Sequence, residues 1–443
     1  MRSVQGCCSL RKSLFTISTS TSWCAWRRII LQQCVRLPVR LPAGQQRQLQ
    51  MRAFGTGLAS GGRMGSNNSD KSDRHLVAVR EERFQELVAA EVAYLATVPV
   101  KPVSMRQIVT WRNARDMVPT IQKEVPKRFA LRIRLIETLD GWQAIPELVK
   151  MHDLLTGWYR DLVLLDYKNP DLASFVRSFK SIRDEGRHTI ALSASGIYKL
   201  RNKLGKFSQQ ETNFLDEWLD GFLLSRIGTN ALIDQFIAIA SKEDGGLGRP
   251  TGITDPRCNA SNICRFAAQV SSYMCYQRFG TEPKYIVQDY QAGRVGPQEK
   301  SPCYFSLIPS YLRYIMCELL KNSFRATLLT EIDISSRPVH IRVCNDVHHV
   351  AILVSDEAGG IPFEVGDQIW SYMYGTAAKI GTVNSFSTEG DELDNPESLT
   401  GYGVGLPCAR LYARYLGGKL SLTSYPSYGT QAHLILPRLG SPP

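Results

Sequence analysis

Between residues 76 and 243 the apolar side chains return at intervals of three and four, first as Phe84, Leu87, Val88, Val92 and Leu95, later as Phe214, Trp218, Phe222, Ile227, Leu232 and Phe236. That spacing stacks side chains on one face of a 3.6-residue turn. Few turn signals interrupt it, so the pattern predicts four or so long helices packed as a bundle. The run Glu243-Asp244-Gly245-Gly246-Leu247-Gly248-Arg249-Pro250 stops helix formation and is the best boundary in the chain.

Beyond it the period changes to two. Val339, Ile341 and Val343 alternate with polar residues, Ala351-Ile352-Leu353-Val354 follows a turn near Asn345-Asp346, and further strands are predicted at Leu420–Ser424 and Thr430–Leu436. Helices are predicted at about 309–328 and 406–416. The second half therefore reads as α+β, with helices covering one face of a mixed sheet.

Charge changes the picture at the start of the chain. The formal net charge over 443 residues is +12, but ten of the 53 basic residues lie in 1–69, which contains no acid. The remaining 43 bases face 41 acids, so the folded part lacks the electrostatic footprint of a nucleic-acid binder. An acid-free segment rich in Arg and Ser, such as Arg11-Lys12-Ser13-Leu14-Phe15 and Trp26-Arg27-Arg28-Ile29-Ile30, has the make-up of a mitochondrial transit peptide. The expected division is thus a transit peptide and linker at 1–74, a helical bundle at 75–249 and an α+β domain at 250–443. Four of the eleven cysteines belong to the leader, and the other seven are irregularly spaced, as expected of reduced thiols. No charge-free apolar run of about 18 residues is present, so no transmembrane segment is expected.

Candidate chemistry begins on the helix predicted after Pro309. Glu318, Asn322 and Arg325 stand four and three residues apart and share a line along its surface. A carboxylate next to a carboxamide next to a guanidinium is what a Mg-nucleotide asks for: an oxygen ligand for the metal, a base beside it and a cation for phosphate. Three downstream segments strengthen the reading. Strand Ala351–Val354 runs into Ser355-Asp356-Glu357-Ala358-Gly359-Gly360-Ile361, an acid at a strand end followed by glycines that allow close backbone approach. Gly401-Tyr402-Gly403-Val404-Gly405-Leu406-Pro407 directly precedes a helix, where exposed N–H groups and the helix N-terminus favour phosphate. Tyr428-Gly429-Thr430 opens the last strand. Four such elements in this order point to nucleotide binding.

The order resembles the Bergerat-fold ATPases. Within them, Glu318-Leu319-Leu320-Lys321-Asn322-Ser323-Phe324-Arg325-Ala326-Thr327, Trp370-Ser371-Tyr372-Met373-Tyr374-Gly375-Thr376-Ala377, and Gly403-Val404-Gly405-Leu406-Pro407 with Leu411-Tyr412-Ala413-Arg414-Tyr415 are similar to the mitochondrial pyruvate dehydrogenase kinases and their branched-chain 2-oxoacid dehydrogenase relatives. Lys101 to Gln107, Leu224 to Ile227 and Thr251 to Asn259 extend the resemblance over about 75 to 437.

The resemblance implies an N-terminal helical bundle followed by a Bergerat-type α/β-sandwich ATP-binding domain in a serine kinase of the mitochondrial matrix. It implies that the kinase inhibits the E1 component of pyruvate dehydrogenase, with the branched-chain dehydrogenase or a protein histidine as alternative acceptors. It assigns Glu318 as general base, Asn322 as Mg²⁺ ligand, Lys321 and Arg325 as phosphate helpers, and Asp356 as acceptor for the adenine amino group, backed by Thr430. Gly360, Gly375, Thr376, Gly401, Tyr402, Gly403, Val404, Gly405 and Leu406 would line the nucleotide. ATP and Mg²⁺ are the implied cofactors. The implied partners are the E1 alpha subunit, the lipoyl domain of the E2 core and a second copy of the chain, with no nucleic acid. The chain departs from the family's pattern at Ala358, where a glycine is usual, and at Tyr314 and Phe236, where pyruvate dehydrogenase kinases usually have histidine. It also ends at Pro443 without the tail of the animal enzymes, so a dimer formed through the sheets is expected without coupling through tails.

Overall fold

The computed structural model describes residues 80–165, 167, 170–204, 209–243, 252–291, 304–330, 337–372, 374 and 403–438. The leader, the joint at 244–250 and parts of the nucleotide segments lie outside them. The chain forms two units, Met1–Thr97 and Val98–Pro443. In the first, helix α1 (Glu81–Leu95) begins with two acidic residues, which suit the positive end of a helix dipole.

The second unit opens on α2 (Met105–Thr110), started by a capping box in which Ser104 and Gln107 each satisfy the other's backbone N–H. Five longer helices follow: α3 (Ala114–Glu137), α4 (Pro146–Val163), α5 (Leu172–Glu185), α6 (Thr189–Leu204) and α7 (Gln209–Glu243). They form the expected bundle. Phe236 of α7 meets Phe175 and Phe179 of α5, tilted against the first and edge-on to the second, with ring centroids 5.9 and 5.3 Å away, and all three are fully buried. Trp218 stacks on Phe222 and donates its indole N–H to the Leu135 carbonyl of α3 at 2.9 Å. Over Glu211–Ser241, α7 has the length and mean hydropathy of a membrane-crossing helix. Leu219, Phe222, Leu223, Ile227, Leu232 and Phe236 instead bury that apolar surface inside the protein.

After the joint come β1 (Asp255–Asn259), α8 (Ala260–Phe279), β2 (Tyr285–Gln291), β3 (Tyr304–Leu307), α9 (Pro309–Leu329), β4 (Val339–Asn345), β5 (His349–Asp356), α10 (Gly405–Tyr415), β6 (Lys419–Tyr425) and β7 (Gly429–Pro437). Strands β1 and β3 pair antiparallel by themselves. The other five described strands form one mixed sheet in the order β2-β4-β5-β7-β6, in which β2 and β4 run parallel and the remaining neighbours antiparallel. Alternation places Val339, Ile341 and Val343 on the same face as Val350, Ile352, Val354, Ala432, Leu434 and Leu436, and all are buried. Helices α8, α9 and α10 lie on the sheet, with α9 packed between the other two.

The four predicted strands and two predicted helices are present, and the α+β class holds. Four further elements were not legible in the hydrophobic pattern. Helix α8 buries mostly small residues, Ala267, Ala268, Ser271, Ser272, Cys264 and Cys275, which carry no strong hydrophobic period. Edge strand β2 turns Asp289 toward the face of Val343, where Ser261 and Arg265 hold its carboxylate, so it reads as polar. Strands β1 and β3 are short and half-exposed.

Candidate functional site

Helix α9 starts with Pro309 at its first position, where the missing N–H costs nothing. Leu312, Ile315, Leu319, Leu320 and Phe324 are buried and fix the helix against its neighbours. Glu318 stands on a different face, one turn on from Tyr314, and Asn322 follows one turn later. The Lys321 ammonium donates to Glu318 Oε1 at 2.6 Å, and both side chains are largely buried, 11% and 15% exposed. The other carboxylate oxygen, Oε2, rests against Gly405 in the first turn of α10, in the space a Cβ at that position would occupy. Asn322 is exposed and Arg325 half-buried further along α9.

Asp356 ends β5 and is 5% exposed. Its Oδ2 accepts from the Ser323 hydroxyl of α9 at 2.8 Å, and its Oδ1 accepts from the backbone N–H groups of Ala358 and Thr430, each at 3.3 Å. Burial pushes this carboxyl above the usual carboxylate range, and the three donors pull it part of the way back. Thr430 is also the cross-strand neighbour of Asp356 in the β5–β7 ladder. The sequence motif assigns Ser323 no role; the one signal it offers is its place next to Asn322, which puts it on the buried side of α9.

The glycine turn after Asp356 is tied to the hairpin of β6 and β7. The Gly359 N–H donates to the Tyr428 carbonyl at 3.1 Å, and the Ile361 N–H donates to Ser424 Oγ at 2.6 Å. Gly359 and Gly360 have φ of 85° and 71°, and a Cβ on Gly360 would run into the Tyr425 carbonyl. Ala358 keeps a negative φ, so the missing glycine at that position costs the turn nothing. Gly403 has φ of 70°, and the buried Val404 caps α10, its carbonyl accepting from the Cys408 N–H at 2.9 Å. Leu406 follows in the first turn. Gly375, Thr376, Gly401 and Tyr402 lie outside the described residues.

Tyr314 packs against Tyr412 of α10, ring centroids 4.6 Å apart, and Tyr311 meets Tyr412 and Tyr415 edge-on. Position 314 therefore belongs to an aromatic contact between α9 and α10. Among the described residues no group of three or more His, Cys, Asp or Glu could hold a metal. The oxygen of Asn322 beside the Glu318 carboxylate is a donor set that suits Mg²⁺ shared with phosphate oxygens. The absence of a side chain at Gly405 lets the Glu318 carboxylate come this close to the first turn of α10.

Residues 102–259 match the family described as mitochondrial branched-chain alpha-ketoacid dehydrogenase kinase, and residues 308–440 match the histidine kinase-, DNA gyrase B- and HSP90-like ATPases. The chain is 30% identical over 368 residues to the mitochondrial pyruvate dehydrogenase (acetyl-transferring) kinase isozyme 4 of Rhinolophus ferrumequinum and to that of Homo sapiens, covering 80% of this chain and 85% of each relative. It is 30% identical over 373 residues to the mitochondrial pyruvate dehydrogenase (acetyl-transferring) kinase of Arabidopsis thaliana, covering 81% of this chain and 96% of that protein. With its helical bundle, its mixed sheet around a buried Asp356 and these two matching segments, the chain belongs to the family of mitochondrial pyruvate dehydrogenase kinases and branched-chain dehydrogenase kinases.

Proposed function

We propose that this chain is a protein serine kinase of the mitochondrial matrix that transfers phosphate from Mg-ATP to the E1 alpha subunit of pyruvate dehydrogenase and so inhibits it. The observation that carries the reading is the pairing of a buried carboxylate at a strand end, Asp356, with Glu318 against the first turn of α10. In this reading the Asp356 carboxylate accepts from the adenine amino group, with Thr430 and Ser323 fixing its position. Gly360, Gly375, Thr376, Gly401, Tyr402, Gly403, Val404, Gly405 and Leu406 line the nucleotide, and the N–H groups at the start of α10 face phosphate oxygens. Lys321 and Arg325 add positive charge near the phosphates. Asn322 would hold Mg²⁺, which supplies neutralisation of phosphate charge when bound.

Glu318 takes the proton of the acceptor serine as the serine oxygen forms a bond to the γ-phosphorus and the bond to the ADP oxygen breaks. Lys321 holds the carboxylate in place through one oxygen and leaves the other for the hydroxyl. Residues 1–74 would direct import, 75–249 would form the regulatory bundle that meets the lipoyl domain, and 250–443 would form the kinase domain, with two copies joined through their sheets.

The branched-chain dehydrogenase is the second reading, favoured by the match of 102–259 and by Tyr314, which replaces the histidine usual in pyruvate dehydrogenase kinases and resembles the branched-chain kinases. Incubation with each purified dehydrogenase complex and labelled Mg-ATP, followed by mapping of the phosphorylated residue, separates the two. Glu318→Gln should bind ATP nearly normally and transfer phosphate at least about 10²-fold more slowly. Unchanged transfer would remove Glu318 as base, and label on histidine would replace the serine-kinase reading.

A further inference from the structure

Helix α7 of the bundle carries Asp216, Glu217 and Asp220 within five positions. Three carboxylates so close repel one another, and burial adds to the cost. Asp216 and Glu217 are accordingly pushed above the usual carboxylate range, chiefly by burial. Asp216 and Asp220 are met by groups from the other half of the unit, whereas Glu217 is exposed. The Tyr372 N–H donates to Asp216 Oδ1 at 3.0 Å, the Tyr372 hydroxyl donates to Asp220 Oδ1 at 2.7 Å, and the Arg414 guanidinium of α10 lies 3.7 Å from Asp220 Oδ2.

Tyr372 is 1% exposed, and its neighbour Trp370 lies under the guanidinium of Arg410, 4.8 Å from the ring centroid. Asp220 thus holds two separate pieces of the sheet-bearing half. One is the segment through Tyr372, and the other is α10. Apolar packing alone would bury a ring here with no preferred rotation. A phenol directed onto a carboxylate, with a guanidinium on the second oxygen, fixes orientation as well as distance. The opposite end of α10 begins at Gly405, which rests against Glu318.

We propose that Asp216 and Asp220 are positioning residues for the nucleotide site, holding Tyr372 and Arg414 so that the N–H groups in the first turn of α10 are aimed at the nucleotide phosphates. This inference rests on the nucleotide-site reading above and adds that the helical half governs nucleotide affinity through α7.

The test uses the full chain and measures the dissociation constant for ATP by calorimetry, phosphate transfer at saturating ATP, and thermal unfolding. Tyr372→Phe removes one hydroxyl and keeps the ring. Its ATP dissociation constant should rise about 5- to 20-fold while transfer at saturating ATP stays within about 3-fold. Asp220→Asn keeps an acceptor for the phenol and removes the charge facing Arg414, so it should weaken ATP binding less. In the double variant the two effects should not simply add, because both contacts share the Asp220 carboxylate. Lower thermal stability with unchanged ATP affinity in both single variants would overturn the inference and leave the nucleotide-site reading standing. If the unmodified chain bound no ATP, that reading would fail, and the inference with it. If Tyr372→Phe did not fold, Asp220→Asn would decide by the same two measurements.

Discussion

Gly405→Ala tests the base without touching it. Gly405 lies in the first turn of α10 without a positive φ, so its backbone accepts alanine. A Cβ there would stand 3.0 Å from the Glu318 carboxyl carbon and nearer still to Oε2, whereas ordinary contacts begin at 3.4 Å. The carboxylate must therefore withdraw by about 1 Å, which a change in its side-chain torsions supplies at roughly 0.5–1.5 kcal/mol. Alanine recovers up to about 1 kcal/mol of helix propensity over glycine, so the net change in stability should be small. A displacement of about 1 Å in a reacting group can cost about 10²-fold in rate. The variant should unfold within a few degrees of the parent, bind ATP within about 3-fold, and transfer phosphate about 10²-fold more slowly. Glu318→Asp in the same background shortens the side chain by one methylene and should restore part of the rate. Full transfer activity in Gly405→Ala would refute the placement of the base, and loss of ATP affinity alone would assign Gly405 to phosphate binding only.

Three further outcomes follow from the same geometry. Burial raises the folded pKa of Asp356, so its contribution to stability is complete below the unfolded pKa and is lost as pH rises through the folded value. Asp356→Asn should therefore unfold no earlier than the parent at neutral pH, yet lose about ten-fold or more in ATP affinity, as calorimetry would record. Phe236→Ala empties the centre of the Phe175 and Phe179 cluster and should cost about 3–5 kcal/mol in denaturant unfolding. Gly360→Ala sets a side chain at a left-handed φ of 71° against the Tyr425 carbonyl, and should lower both the thermal midpoint and the ATP affinity.

The parts of the fold that were legible are those with strong periodicity. Val339, Ile341 and Val343 announce β4 because alternate positions are apolar, and Pro309 with Leu312, Ile315 and Leu319 announces α9. Helix α8 escaped because its inward residues are alanine, serine and cysteine, and β2 because Asp289 points inward. Spacing and glycine context single out Glu318, Asn322 and Asp356 as candidates. The contacts of Ser323 with Asp356 and of Tyr372 with Asp220 were not legible, since they join residues 33 and 152 positions apart. Local sequence carries no record of such pairings.

Gln235 is fully buried, its amide N–H donating to the Ile108 carbonyl at 3.1 Å and its amide oxygen accepting from the Ile253 N–H at 2.8 Å. Gly252, with φ of 65°, leaves room for that amide. One side chain thus closes a loop of chain whose ends are 18 residues apart. Residues 236–243 of that span are the end of α7, and because the contact fixes closure, doubling the joint at 244–250 should cost only about 0.6 kcal/mol. The connection is accordingly the natural place to cut the polypeptide or to insert a reporter, with Gln235 bringing the two pieces back into register.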